Sequence, residues 1–354
     1  MLMVIFGAGA SYDSAATYPP GTLDTLREEA RPPLANYLFQ QRAFFDPWVQ
    51  RYPECASVVT RLRLRRGTTL EDEMEKLRAQ AQAPHQEQVA VELNAVRYYL
   101  RGVLASCGQA WLGYTAGVTN YVQLLRDIRV WQNGHPGEEV RFVTFNYDTL
   151  LEHACQRALQ MEIRSPSGYI SRVYKVFKPH GSVNWMRVLN NSAGINPSNA
   201  EASIIGLGSS IDPSSDVHVI PPTDATTKLG DKYLFPAIAL PVNTKLQFEC
   251  PEDHIAQLKA DVPAVTKLLV IGWRATEPAF LEFWKQPRIA SISKIAIVAG
   301  GSGEAQQVEN NLKAAGIGVP QPLMPTAPES TFVLSDQGFS DFVSGPRLGE
   351  FLAD

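Results

Sequence analysis

Four short, almost wholly apolar runs constrain this chain more than anything else in it. They are Leu2–Phe6 (LMVIF) and the segments 140–145 (VRFVTF), 268–272 (LLVIG) and 295–299 (IAIVA). A run of this length with no polar alternation reads as a strand buried on both faces, as in a parallel sheet covered by helices. Helical patterns follow at about 149–159 and in GEAQQVENNLKAAG after the last run. Strands alternating with helices predict an α/β fold, a doubly wound, Rossmann-like parallel sheet. In such sheets ligands bind at the carboxyl ends of the strands. Those ends fall at Gly7, Asn146, Gly272 and Gly300, so four distant segments are expected around one crevice.

Between the first two strands the character changes. Residues 22–130 carry Leu, Ala, Arg, Glu and Gln at helical spacing and no convincing strand. That is too long for an ordinary crossover and predicts a helical insertion. The expected domains are therefore 1–21 with 131–320 as the sheet domain, 22–130 as a helical subdomain, and 321–354 as a C-terminal extension. Within the sheet domain, 169–177 reads as β-rich, with Arg172, Tyr174 and Val176 alternating against Val173, Lys175 and Phe177. Residues 189–216, rich in Asn, Ser, Gly and Pro, read as a long loop or mobile flap. Tyr37, Phe44, Phe45, Trp48 and Tyr52 cluster in the helical block. They either fill its own core or mate with a neighbouring subunit, and a homo-oligomer built through this block is expected.

Composition excludes several classes. Hydrophobic residues are 45% and charged residues 19% of 354, which is ordinary for a globular chain. The net charge of −4 argues against a protein that coats nucleic acid, and no direct nucleic-acid binding is expected. The dense Arg61, Arg63, Arg65, Arg66 cluster is followed at once by Glu71, Asp72, Glu73 and Glu75 and reads as a solvated face. The four cysteines, at 55, 107, 155 and 250, are too scattered for a closed zinc site and suit a reduced, cytoplasmic protein. No run reaches the roughly 18 apolar residues of a membrane span. The opening MLMVIFGAGAS lacks a basic leader region and reads as a first strand rather than a signal peptide.

Five turns carry residues able to do chemistry. Gly7-Ala8-Gly9-Ala10-Ser11 follows the first strand, where two glycines let a backbone approach a pyrophosphate. Taken alone it is equally a tight strand-to-helix turn, and Tyr12 stands where the dehydrogenase fingerprint needs a small residue. Phe145-Asn146-Tyr147-Asp148 offers an amide and a carboxylate past the second strand, or simply a helix cap. Lys178-Pro179-His180-Gly181-Ser182 frames a titratable imidazole between a rigid and a permissive residue. His85, His135, His153, His218 and His254 have no such setting. Gly272-Trp273 and Gly300-Gly301 are further turns able to face a nucleotide.

The order of the set, GAGAS, FNYD, HGS, IGW and a late glycine turn, resembles the sirtuin-like NAD-consuming enzymes. TFNYDTLLE with KPHGSVNW is similar to the bacterial antiphage-defence NADases of that family. The resemblance covers roughly 1–20 and 140–315. It implies cleavage of NAD to nicotinamide and ADP-ribose, without a metal, in antiphage defence by NAD depletion. It implies Asn146 and His180 as catalytic groups, His180 as general base and Asn146 aligning ribose and water. Gly7, Ala8, Gly9, Ala10 and Ser11 would then hold the pyrophosphate. Asp148 would bind the nicotinamide carboxamide or ribose, and Gly272, Trp273, Gly300 and Gly301 would shape the adenosine end. Family partners include helicase-type ATPases and Argonaute-like proteins, so a separate regulatory chain is implied. Deacetylating sirtuins carry a four-cysteine zinc module and a G-I-P-x-F-R loop. This chain has neither, reading Thr17-Tyr18-Pro19-Pro20-Gly21-Thr22 at the loop. The alternatives are a deacylase or ADP-ribosyltransferase, and an NAD- or ADP-ribose-binding module without turnover.

Overall fold

The structure is a computed structural model describing residues 1–170, 173–222, 226–242, 248–287, 289–319 and 330–353. Six parallel strands form the main sheet: β1 (Leu2–Phe6), β2 (Val140–Thr144), β3 (Tyr174–Phe177), and then β8 (Lys267–Ile271), β9 (Lys294–Val298) and β10 (Thr331–Ser335). Their order is β10-β9-β8-β1-β2-β3. The chain steps from β1 outward through β2 and β3, then restarts on the other side of β1. The topological switch point therefore lies between β1 and β8. Register puts Phe6 level with both Thr144 and Ile271, so Gly7, Phe145 and Gly272 leave the sheet side by side.

The apolar runs form strands because both faces are covered. Leu2, Val4 and Phe6 pack into one core with the helices Asn120–Gly134 and Leu150–Leu159. Met3 and Ile5 pack into another with the helices Glu252–Asp261 and Ser302–Ala314. A second, antiparallel sheet has the order β5-β4-β7-β6, with β4 at Gly181–Leu189, β5 at Pro213–Val219, β6 at Lys228–Leu229 and β7 at Lys232–Ile238. It shares one core with the helical block. Leu38, Phe45, Tyr99 and Cys107 pack with Val183, Leu189, Phe235 and Ile238.

Four expectations change. Residues 189–216 are not one loop. They hold the helix Ala200–Gly206 and the start of β5, because Ile204 and Ile205 bury in the second core and Asn94 Nδ2 donates to Gly208 O at 2.9 Å. The 169–177 stretch is not all strand: its first two residues end the helix Pro166–Ile170 and only Tyr174–Phe177 is a strand; Arg172 lies outside the described residues. The helix Asn120–Gly134, assigned with the helical block, covers the main sheet instead. Finally, the expected C-terminal extension supplies β10 and the helices Gly338–Ser344 and Arg347–Ala353, which complete the sheet and its core; residues 320–329 lie outside the described set. Of the clustered aromatics, Phe45 and Tyr52 are buried in the core that the block shares with the second sheet, and Phe44 and Trp48 pack against it.

Candidate active site

The turn after β1 is welded to the turn after β8. Gly7 N–H donates to Ile271 O at 3.0 Å and Gly9 N–H to Gly272 O at 3.2 Å. A Cβ on Gly7 would sit 2.4 Å from Gly272 O. Gly272 has φ +59, and a Cβ there would lie 2.4 Å from Ala10 N. These glycines are required because two backbones meet at the switch point with no room between them. The expectation that the amides of Gly7 and Gly9 hold a pyrophosphate is corrected, since both are spent inside the protein. Ala10 N–H is likewise spent, on Gly7 O at 2.9 Å. Ala8 opens the short helix Ala8–Tyr12, capped by Gly7 in extended conformation. Gly272→Ala combines left-handed backbone strain with overlap on Ala10, so it is expected to cost more than about 2 kcal/mol of stability. Thermal unfolding checks this; an unchanged midpoint would mean the two turns do not touch.

Asn146 leaves β2 and turns under this weld. Its Nδ2 donates to Gly7 O at 2.8 Å and to Ser11 Oγ at 2.9 Å, with Tyr121 Oη at 3.2 Å. Ser11 Oγ and Tyr121 Oη are 2.9 Å apart. Asn146 and Asp148 are each 7% exposed. The Asp148 Oδ1 accepts from Leu150 N at 3.0 Å, so this carboxylate also caps the helix Leu150–Leu159. Burial pushes the Asp148 carboxyl above its ordinary range, while the Lys178 charge and hydrogen bonds from Ser11 and Leu150 N pull it back.

His180 is brought to the same end of the sheet by the link from β3 to β4. It is 4% exposed, and its ring lies 4.9 Å from Phe145 and 6.2 Å from Tyr147, centroid to centroid. Three bonds tie its segment to Asn146's. Lys178 Nζ donates to Asp148 O, Ser182 Oγ to Tyr147 O at 3.2 Å, and Val183 N to Tyr147 O at 2.9 Å. Lys178 is wholly buried and pairs with Glu152 at 2.8 Å. Tyr169 Oη donates to the same carboxylate at 2.9 Å.

The remaining expected residues divide. Trp273, 3% exposed, stacks on Phe145 at 5.1 Å and 12° and meets Phe280 edge-on. It is core packing behind the site and does not present a face to a cofactor. Gly300 is exposed past β9, and Gly301 starts the helix Ser302–Ala314; both are a strand farther from β1 than Gly272.

Sequence reasoning missed Tyr121, Glu152, Arg31 and Asp13. Arg31 is fully buried. It pairs with Glu28 at 2.7 Å and donates to Tyr12 O at 2.8 Å and Tyr18 O at 3.1 Å, holding the 12–19 loop. Asp13 accepts from Ser340 N at 3.0 Å. Glu152 had a signal, its place at the end of TFNYDTLLE; the others follow no motif. Among the described residues no group of three or more His, Cys, Asp or Glu is placed to hold a metal, and no helix is long and apolar enough to cross a membrane.

No protein-family model matches the chain, and neither does any curated protein. Solved structures do. A mutant Sir2 homologue in complex with ADP ribose aligns over 99% of this chain and 91% of its own, with 13% identity and a TM-score of 0.40. A Sir2 homologue–NAD complex aligns over 99% and 88%, with 14% identity and a TM-score of 0.36. Sir2Tm bound to a propionylated peptide aligns over 99% and 94%, with 11% identity and a TM-score of 0.38.

Proposed function

We propose that this chain is a sirtuin-like NAD hydrolase, releasing nicotinamide and ADP-ribose. The observation that carries the reading is that Asn146 and His180 both stand past the carboxyl ends of β2 and β3, beside the β1/β8 switch point, on segments joined through Tyr147 O and Asp148 O. Asn146 spends its nitrogen on Gly7 O and Ser11, which leaves its carbonyl oxygen as an acceptor for a ribose hydroxyl or a water proton.

In the proposed reaction the bond between nicotinamide nitrogen and ribose C1′ breaks, and its electron pair leaves with nicotinamide. The ribose passes through an oxocarbenium-like transition state. Water, aligned by Asn146, attacks C1′ and gives up a proton to His180, which acts as general base. The balance is NAD plus water to nicotinamide, ADP-ribose and a proton. With the amides of Gly7 and Gly9 spent, the phosphates rest on other groups of the turn. An unrestrained NADase would drain its host, so the proposal includes restraint by self-assembly or by a separate partner chain, and a role in antiphage defence by NAD depletion.

A second reading, an NAD- or ADP-ribose-binding module without turnover, is favoured by the low exposure of Asn146 and His180. Incubating the purified chain with NAD and following nicotinamide release separates the two. Asn146→Ala is expected to lower turnover by about 100-fold or more while weakening ADP-ribose binding far less, because alignment acts in the transition state. Normal kinetics with only a lower melting temperature would assign Asn146 to bracing the turn after β1 alone.

A further inference from the structure

We infer that Tyr121 is a positioning residue for Asn146, and that the helix Gly338–Ser344 holds Tyr121 in place. The inference rests on the reading of Asn146 as the group that aligns ribose and water.

Tyr121 sits on the helix Asn120–Gly134, which the sequence assigned to a different domain from Asn146. Its hydroxyl lies 2.9 Å from Ser11 Oγ and 3.2 Å from Asn146 Nδ2. The orientation of the Asn146 amide follows from its partners. Gly7 O can only accept, so Asn146 must turn its NH2 inward, one proton going to Gly7 O and the other to the two hydroxyls. The Tyr121 and Ser11 hydroxyls, 2.9 Å apart, share one proton between them, and both offer lone pairs to the amide. The result is one orientation of the Asn146 amide, nitrogen inward and oxygen outward. Without the Tyr121 hydroxyl, Ser11 loses its partner at 2.9 Å and the Asn146 amide loses one of the oxygens that fix its torsion.

Tyr121 is itself braced from the C terminus. Its ring meets Phe339 edge-on at 5.5 Å and Phe6 at 5.0 Å. The neighbouring Asn120 donates from Nδ2 to Ser340 Oγ at 2.9 Å and to Asp13 O at 2.8 Å. Asp13 in turn accepts from Ser340 N at 3.0 Å. The helix Gly338–Ser344 therefore grips both the Tyr121 helix and the turn that carries Ser11.

Tyr121→Phe tests this, because it keeps the ring packing and removes only the hydroxyl. Turnover of NAD is expected to fall about 10- to 100-fold in kcat, with KM within about threefold, since a misaligned amide costs transition-state rather than ground-state binding. Unchanged kcat overturns the role, and so does a rise in KM alone. If Y121F does not fold, Ser340→Ala, which removes only hydroxyl bonds to Asn120 and Asp13, is expected to lower kcat about threefold at constant KM; no change overturns the inference. If the wild-type chain releases no nicotinamide, the hydrolase reading has failed separately. Crystal structures of wild type and Y121F then decide: an Asn146 amide turned away from Gly7 O supports the positioning role, and an unmoved one overturns it.

Discussion

His180→Ala is expected to lower NAD turnover by about two to four orders of magnitude, the usual contribution of a general base. The fold should survive, because the segment is held by its backbone rather than by the imidazole. Gly181 N donates to Lys178 O at 3.0 Å, Ala239 N to His180 O at 2.9 Å, and Val183 N to Tyr147 O at 2.9 Å. The lost ring leaves a gap against Phe145 and Tyr147, so some loss of melting temperature will accompany the loss of rate. Nicotinamide release at matched folded fraction separates the two. Wild-type turnover in the folded variant would remove His180 from the proposed mechanism.

Lys178→Met is expected to cost about 3–5 kcal/mol, because it leaves the Glu152 carboxylate with its charge uncompensated in the interior. Lys178 is wholly buried, and its ammonium joins three parts of the site region: the Asp148 carbonyl, the Glu152 carboxylate, and through Glu152 the Tyr169 hydroxyl. Urea unfolding reads the cost as a lower midpoint at constant m. Lys178→Met with Glu152→Gln should regain much of it, since neutralising the second partner removes the stranded charge. A single-variant loss below about 1 kcal/mol would be the value of an exposed pair, and would contradict the burial. Residual turnover in folded Lys178→Met should also fall, since this side chain ties the His180 segment to the Asn146 segment.

Much of the fold was legible because its signals are local. Leu2–Phe6 and the runs ending at Thr144, Ile271 and Val298 are apolar on both faces, and only a covered parallel sheet accepts that. The same reasoning placed Gly7, Asn146, Gly272 and Gly300 at strand ends. His180 stood out for its Pro179 and Gly181 flanks. Where local composition and tertiary burial disagreed, burial prevailed. Ile204 and Ile205 drew a polar, Gly-rich stretch into a helix, and Tyr169 closed a helical turn where alternation suggested a strand.

What the sequence by itself determined, then, is the set of buried strands, their alternation with helices, and the residue types that stand where each strand ends. What only the tertiary structure decided is which strands are neighbours and which groups are consumed by that neighbourhood. The β1/β8 contact takes the amides of Gly7 and Gly9, the β10 strand and Ser340 draw the C-terminal segment into the site's support, and Tyr121 reaches Asn146 across a sequence separation of 25. Hydrophobic period is written within a few consecutive residues, whereas strand pairing and the direction of a hydrogen bond depend on partners that the chain brings together only on folding.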